Sequence, residues 1–404
     1  MALFTNLRTW DKEKKDFILQ DIEVKDPEEL LEKNIKEIDC SSFMSIPNAM
    51  DIHVHFREPG YEYKENMLSG ALAAIYGGVT KVLDMPNTRP ITNSVDRILH
   101  KKALAKKQKW IDILIASAIT NDNIQEIEQI DKYCDAYKVF MAESFGKLVV
   151  DEDKIVTSLT ILESIESSKP IFFHAESPLV IEQCKNEKGH QKQRPPEAEA
   201  EAIQKISTWA QEYNNLKFHI THLSSSLSLK LLEVVKTDNL TIDTCPRYLY
   251  FDENTDLPEY VKKVNPPLRS TIDRIQLTQA LATGFIDMIS SDHSPHSLQE
   301  KEEKNLSGLP GVQEMLPSLI NLITLNELGW ERAIEAFHNF PYKLFDIEES
   351  DKADSDFIII DISKPYELNE LNIQTKSKWS PYSNLSLMGD ILYVVKDGNL
   401  VLIK

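Results

Sequence analysis

His53 and His55, separated by one residue in DIHVHFREPG, are the first side chains along the chain whose types and spacing point to chemistry. On a strand, residues i and i+2 project to the same side, so two imidazoles standing together can chelate one metal ion. An isolated pair of this kind reads equally well as two core or surface histidines. His174 in FFHAE, His222 in HITHL and Asp292 in SSDH extend it, each at the end of an apolar run. Four imidazoles and a carboxylate are a donor set suited to a borderline-soft divalent ion such as zinc. His219, three residues before His222, is expected to face the opposite way as a hydrogen-bonded structural histidine. His293, beside Asp292, is expected to orient its neighbours. His100, His190 and His338 fall on helical or loop stretches and are expected to be solvated.

Two cations stand out. Lys138 interrupts the apolar run AYKVFMA. A lysine there is costly to bury as a cation. It either turns outward with its stem along the surface or is neutralised or modified near a metal; the residues leave both readings open. Arg57 follows His55 by two residues. Its planar fork can hold a carboxylate through two parallel hydrogen bonds, with a structural salt bridge as the alternative.

These side chains need a scaffold, and the hydrophobic periodicity supplies one. Eight short β-prone runs occupy 46–56, 79–85, 111–119, 136–142, 170–176, 217–223, 240–246 and 285–292. Amphipathic stretches lie between them, among them 65–76, 94–108, 153–167, 197–213, 225–236 and 312–327. The pattern predicts an α/β fold, a (β/α)8 TIM-type barrel, although a doubly wound sheet shows the same alternation. The polar residues gather at the C-terminal strand ends, the face on which barrels carry their sites. The flanks contain strand-like pieces, including DFIIID and ILYVVKDGNLVLI with a KDGN hairpin signal. The expected organisation is a small β-sandwich-like domain from residues 1–45 and 351–404, beside a barrel spanning 46–350.

Composition narrows the class. The chain has 404 residues and is 42% hydrophobic and 27% charged, which argues against disorder. A net charge of −19 repels phosphate backbones and makes nucleic acid a poor partner. No apolar run reaches the roughly 18 residues that span a bilayer, and MALFTNLRTWDKEKKDF lacks the apolar core of a signal peptide. Cys40, Cys134, Cys184 and Cys245 are scattered and read as buried free thiols. A cytoplasmic location without membrane association is expected.

Taken together, DIHVHFREPG, VLDMPNTRP, FFHAES, HITHLSS, NPPLR and SSDHSPHS resemble, in order and spacing, the dihydroorotase family of the cyclic amidohydrolase branch. The resemblance runs from about 46 to 320 and more weakly through ADSDFIIID and GDILYVVKDGNLV. It implies a hydrolase of pyrimidine biosynthesis that interconverts N-carbamoyl-L-aspartate and (S)-dihydroorotate with a metal-activated hydroxide. His53 and His55 would bind one divalent metal, with zinc expected, and His174 and His222 a second. Lys138 would be a carboxylated lysine bridging the two. Asp292 would touch the first metal and shuttle the proton. Arg57, Asn87, Asn265 and His296 would hold the substrate carboxylate, with the backbone of Ser307 and Gly308 against the ring. The partners implied are a small-molecule substrate, further copies of the chain in a homo-oligomer, and aspartate transcarbamoylase by association. Two departures stand: Arg247 and Tyr248 occupy the places of an expected histidine pair, and the N-terminal segment matches poorly, so a reduced β domain is expected. Allantoinase or dihydropyrimidinase-like enzymes share the metal core but act on substrates without the ring carboxylate. An inactive scaffold homologue would have lost ligands that this chain retains.

Overall fold

Strand and helix follow the hydrophobic period through most of the computed structural model, which describes residues 2–25, 37–143, 148–348, 355–366 and 368–403. Eight parallel strands form one sheet in sequential order: β5 (Ala49–Val54), β6 (Val79–Asp84), β7 (Asp112–Ala118), β8 (Ala136–Phe140), β9 (Ile171–His174), β10 (Phe218–Ile220), β11 (Leu240–Thr244) and β12 (Met288–Ile289). The sheet closes on itself where Val54 bridges His293 and the His55 N–H donates to the His293 carbonyl at 2.8 Å. The eight-stranded barrel, and not the doubly wound alternative, is the fold.

Amphipathic helices pack around the barrel. In Pro196–Glu212, Ala198, Ala202, Ile203, Ile206, Trp209 and Ala210 are buried, the spacing of a single helical stripe. Local signals start several helices: Asn66 and Ser69 form a capping box before Met67–Tyr76, and Ser270 and Asp273 form another before Thr271–Ala282.

The two ends of the chain meet in a second sheet. β4 (Met44–Pro47) runs parallel to β1 (Ala2–Asp11) and antiparallel to β13 (Phe357–Pro365). β2 (Asp16–Val24), β3 (Glu37–Asp39), β14 (Met388–Lys396) and β15 (Asn399–Ile403) complete seven strands among the described residues. In β13, Phe357 and Ile359 pack within this sheet's own cluster, whereas Ile358 and Ile360 join the large core around the barrel. Asp397 and Gly398, both at positive φ, make the expected tight turn between β14 and β15. Asn48 separates β4 from β5 and is fully buried; its Nδ2 donates to Val395 O and its carbonyl meets His338 Nδ1 at 2.8 Å. His338 is therefore buried and bonded, contrary to the expectation of a solvated ring. His190 is half-buried, with Nε2 2.8 Å from Val264 O. The expected boundary at 350/351 lies outside the described residues.

Beneath the C-terminal face, Lys101 ties a helix to two strands. It is fully buried, with Nζ 2.9 Å from Asp84 Oδ2 and 2.6 Å from Met85 O. Asp84 Oδ1 accepts the Phe56 N–H at 2.8 Å, immediately after His55. Lys101→Met strands a buried carboxylate and should lower unfolding free energy by about 3–5 kcal/mol in a urea titration. A loss below about 1 kcal/mol would mean the pair contributes no more than a surface bridge.

Candidate active site

A bulge brings the first two histidines to the site. Between Asp51 and Val54 the β5–β6 register slips by one residue. Met50 and Ile52 belong to the inner barrel cluster and Val54 to the outer one. The slip reverses the alternation, and His53 and His55 both line the cavity at the strand end. Asp51 anchors the turn by accepting the His53 and Ser291 backbone N–H groups, each at 3.1 Å.

Asp292 adopts a left-handed φ of 41°. Its Oδ1 lies 3.4 Å from His53 Nε2 and 3.0 Å from His55 Nε2. Ligand atoms of these three residues all fall within 4.8 Å of one another. On the other side, His174 Nδ1 and His222 Nε2 are 3.1 Å apart, and the His222 ring stacks on His53 with centroids 5.4 Å apart. His174 Nε2 is 2.8 Å from Glu176 Oε2, which also accepts from Arg194. A carboxylate only accepts, so His174 carries its hydrogen on Nε2 and keeps the Nδ1 lone pair toward the cluster.

Lys138 faces inward. Ala136 and Phe140, on the same side of β8, pack in inner clusters, while Tyr137 and Val139 pack outside. The lysine is fully buried and donates to Thr221 Oγ1 at 3.1 Å. Burial pushes its pKa down to about 7. The snorkelling alternative is thereby removed.

Burial also holds all four imidazoles neutral. His55 falls to about 4, His174 is lowered, and His53 and His222 lie well below the ordinary range. For Asp292, burial opposes charge, but Arg247 and then His53 and His55 outweigh it and hold the carboxyl well below its usual range. Nδ1 of His53, His55 and His222 is buried with no hydrogen-bond partner among the described residues. Neutral rings with available lone pairs beside a charged carboxylate fit a divalent cation, and His53, His55 and Asp292 could hold one.

The six ligand candidates share one cavity at the strand ends. Besides the six ligand candidates it is lined by Arg57, Asn87, Asn265, Ser307 and Gly308. His296 does not line it. It lies behind Arg57, with Nε2 3.3 Å from Arg57 Nη2 and 3.1 Å from Ser307 O. His293 points away, its Nδ1 accepting the Gly311 N–H at 3.1 Å and its Nε2 3.4 Å from Glu65. His219 is structural, between Thr241 Oγ1 at 2.8 Å and Asp243 Oδ2 at 2.9 Å. It nevertheless faces the barrel interior, its ring tilted against Phe172 with centroids 4.6 Å apart. The alternation argument fails here because β10 ends at Ile220 and His222 takes a φ of 46°.

Sequence reasoning missed Glu176, Asp243 and Asp51. Glu176 stands two residues after His174 in FFHAES, a spacing that was available as a signal. Asp243 accepts the His222 N–H from a neighbouring strand, and no local pattern announces it. Arg247, at a departure from the expected motif, is buried, pairs with Asp292 Oδ2 through Nη2 and reaches two backbone carbonyls through Nη1 at 3.4 Å. Tyr248 turns elsewhere and donates its hydroxyl to Pro266 O at 2.6 Å.

Residues 44–345 match the amidohydrolase family. The dihydroorotase of Pyrococcus furiosus is 30% identical, covering 88% of this chain and 81% of that protein. The dihydroorotase of Caldicellulosiruptor saccharolyticus is 31% identical, covering 96% and 94%. Among solved structures, an L-hydantoinase (dihydropyrimidinase) from Arthrobacter aurescens superposes with a TM-score of 0.87 at 22% identity, over 100% of this chain and 96% of that one. A dihydropyrimidinase from Brevibacillus agri gives 0.87 at 20% identity, over 100% and 95%. At these identities the structures speak to the fold alone. Among the described residues, no helix is long and apolar enough to cross a membrane.

The geometry predicts which substitutions release metal. His53→Ala and Asp292→Ala should each lower the metal retained after purification, measured by atomic absorption. His219→Gln should leave it unchanged; equal losses in all three would dissolve the distinction between ligand and support.

Proposed function

The chain belongs to the amidohydrolase family, and on that premise we propose that this hydrolase of cyclic amides is a dihydroorotase. One observation carries the reading. Arg57, buried and two residues beyond a candidate ligand, lines the same cavity as the four histidines and Asp292. A guanidinium is held out of water at this cost where an anion is to be met. Dihydroorotate carries a ring carboxylate; allantoin and dihydrouracil do not. The relatives named dihydroorotase support the same choice.

In this reading His53, His55 and Asp292 would hold one divalent ion and His174 and His222 another, with zinc expected and a carboxylated Lys138 completing the ligand set. Such ions, when bound, would supply an acidified water and a polarised carbonyl. The chain's own residues do the rest. Arg57 and Asn87 fix the substrate carboxylate, and Asn265 with the Ser307–Gly308 backbone orients the ring. In hydrolysis, water oxygen bonds to the ring carbonyl carbon and the ring C–N bond breaks. Asp292 takes a proton from the water and passes it to the departing nitrogen, which becomes the terminal NH2 of the carbamoyl group. Oδ1 is the atom placed for this, because Oδ2 is engaged by Arg247. Lys138 supports its assigned modification: burial favours the neutral amine, the form that adds CO2.

Hydrolysis turns one carboxylate into two and releases a proton, so ring closure takes one up. Ring closure should therefore gain on hydrolysis as pH falls. Rates in both directions from mildly acidic to alkaline pH test this, and parallel trends would count against it. Turnover of dihydrouracil or allantoin in preference to dihydroorotate would replace the reading altogether.

Arg57→Ala should raise KM for carbamoyl aspartate about 10- to 100-fold, the effect of one charge-assisted contact. Asp292→Ala should lower kcat by at least about 100-fold with an unchanged circular dichroism spectrum. An unaltered KM or kcat would remove that residue from its role.

A further inference from the structure

Lys64 has been given no part in the chemistry above, yet it stands directly behind the carboxylate end of the cavity. It is buried, seven residues after Arg57, in the segment leading into Met67–Tyr76. Its Nζ lies 2.8 Å from His296 Nδ1 and 2.9 Å from Glu300 Oε2. The other face of the fully buried His296 ring is bounded by Ser307 O at 3.1 Å and Arg57 Nη2 at 3.3 Å.

Donor and acceptor rules assign the ring. An ammonium only donates and a carbonyl only accepts. Lys64 therefore makes Nδ1 the lone-pair nitrogen, and Nε2 carries the hydrogen that Ser307 O accepts. Arg57 Nη2, a donor, meets a ring nitrogen that cannot accept from it. Lys64 thus determines how His296 holds the Ser307–Gly308 backbone, which lines the cavity. Burial, with Arg57, Lys64 and Lys301 around it, keeps the imidazole neutral.

Charge adds a second effect. Glu300 is shared between Lys64 and Lys304. Lys301, fully buried, donates to the carbonyls of Lys263, Leu306 and Gly308. Lys64, Lys304 and Arg57 outnumber the one carboxylate, Glu300, that Lys64 and Lys304 share, in a chain of net charge −19. Low-dielectric walls concentrate such a local field.

We propose that Lys64 is a specificity-determining positioning residue for the substrate carboxylate: through His296 it sets the hydrogen that holds Ser307, and its ammonium reinforces Arg57 as the charge that the anion meets. This rests on the dihydroorotase reading and goes beyond its assigned contacts.

The test uses the metal-loaded full chain. Lys64→Met should raise KM for carbamoyl aspartate and the inhibition constant of orotate together, by about tenfold, with kcat held within about twofold. Lys64→Arg, which keeps charge and donor, should recover most of the loss. Lys64→Gln keeps a donor without the charge and carries the test if the Met variant does not fold; a KM raised at least about threefold is expected. An unchanged KM in the Gln or Met variant overturns the inference. So does a fall in kcat without a change in KM, or a failure of Arg to rescue, since either outcome describes a merely structural lysine. Wild-type protein that turns over neither dihydroorotate nor carbamoyl aspartate overturns the parent reading as well. Wild-type activity with an unaltered KM in the variants overturns this inference alone.

Discussion

Keeping ionisable groups out of water at one end of the barrel is the constraint on which the rest of this structure depends. Four imidazoles, a lysine and a carboxylate are buried there together. Burial strips the imidazoles and the lysine of their usual affinity for protons. It thereby creates the neutral donors that a divalent cation needs. Asp292 stays charged because Arg247 and the neighbouring histidines offset its desolvation.

Such a cluster persists only when its surroundings leave it no alternative arrangement. Asp51, Asp243 and Glu176 form a layer of buried carboxylates that fix a backbone N–H or a ring nitrogen of each histidine they touch. Arg57, His222 and Asp292 take positive φ values of 64°, 46° and 41°, where side chains other than glycine are strained. Strain at three candidate-site positions is the kind of local cost that pre-organisation involves. The Val54–His293 bridge that closes the barrel lies within the same residues. The contact that closes the barrel therefore also sets His53 and His55 beside Asp292.

Fold and specificity separate cleanly here. Hydantoinases and dihydropyrimidinases share the architecture at a TM-score of 0.87, but a barrel hosts many reactions. In this cavity Arg57 stands on the wall, with Lys64 behind His296. Arg247 is a different variation. It stands where the sequence resemblance implies histidine, and it commits one oxygen of Asp292 to a guanidinium.

Periodicity alone carried most of the barrel. Each of the eight apolar runs contains its strand, because a strand buried on both faces leaves a continuous apolar trace whose length shows in one dimension. The HxH pair, the inward lysine and Arg57 were legible as chemistry because their residue types are expensive to bury without purpose. Partnership across strands was not legible. Asp243 beneath His222, Arg194 on Glu176, Arg247 on Asp292 and His338 on Asn48 are separated by 18 to 290 residues and share no local pattern. Nor could strand alternation foresee the bulge before His53 or the end of β10 before His222, since a single inserted or departing residue reverses which side faces the axis. Residue type and spacing determined which groups can do chemistry; only the closed barrel decided which of them meet, because hydrogen-bond geometry between distant strands exists solely in the folded chain.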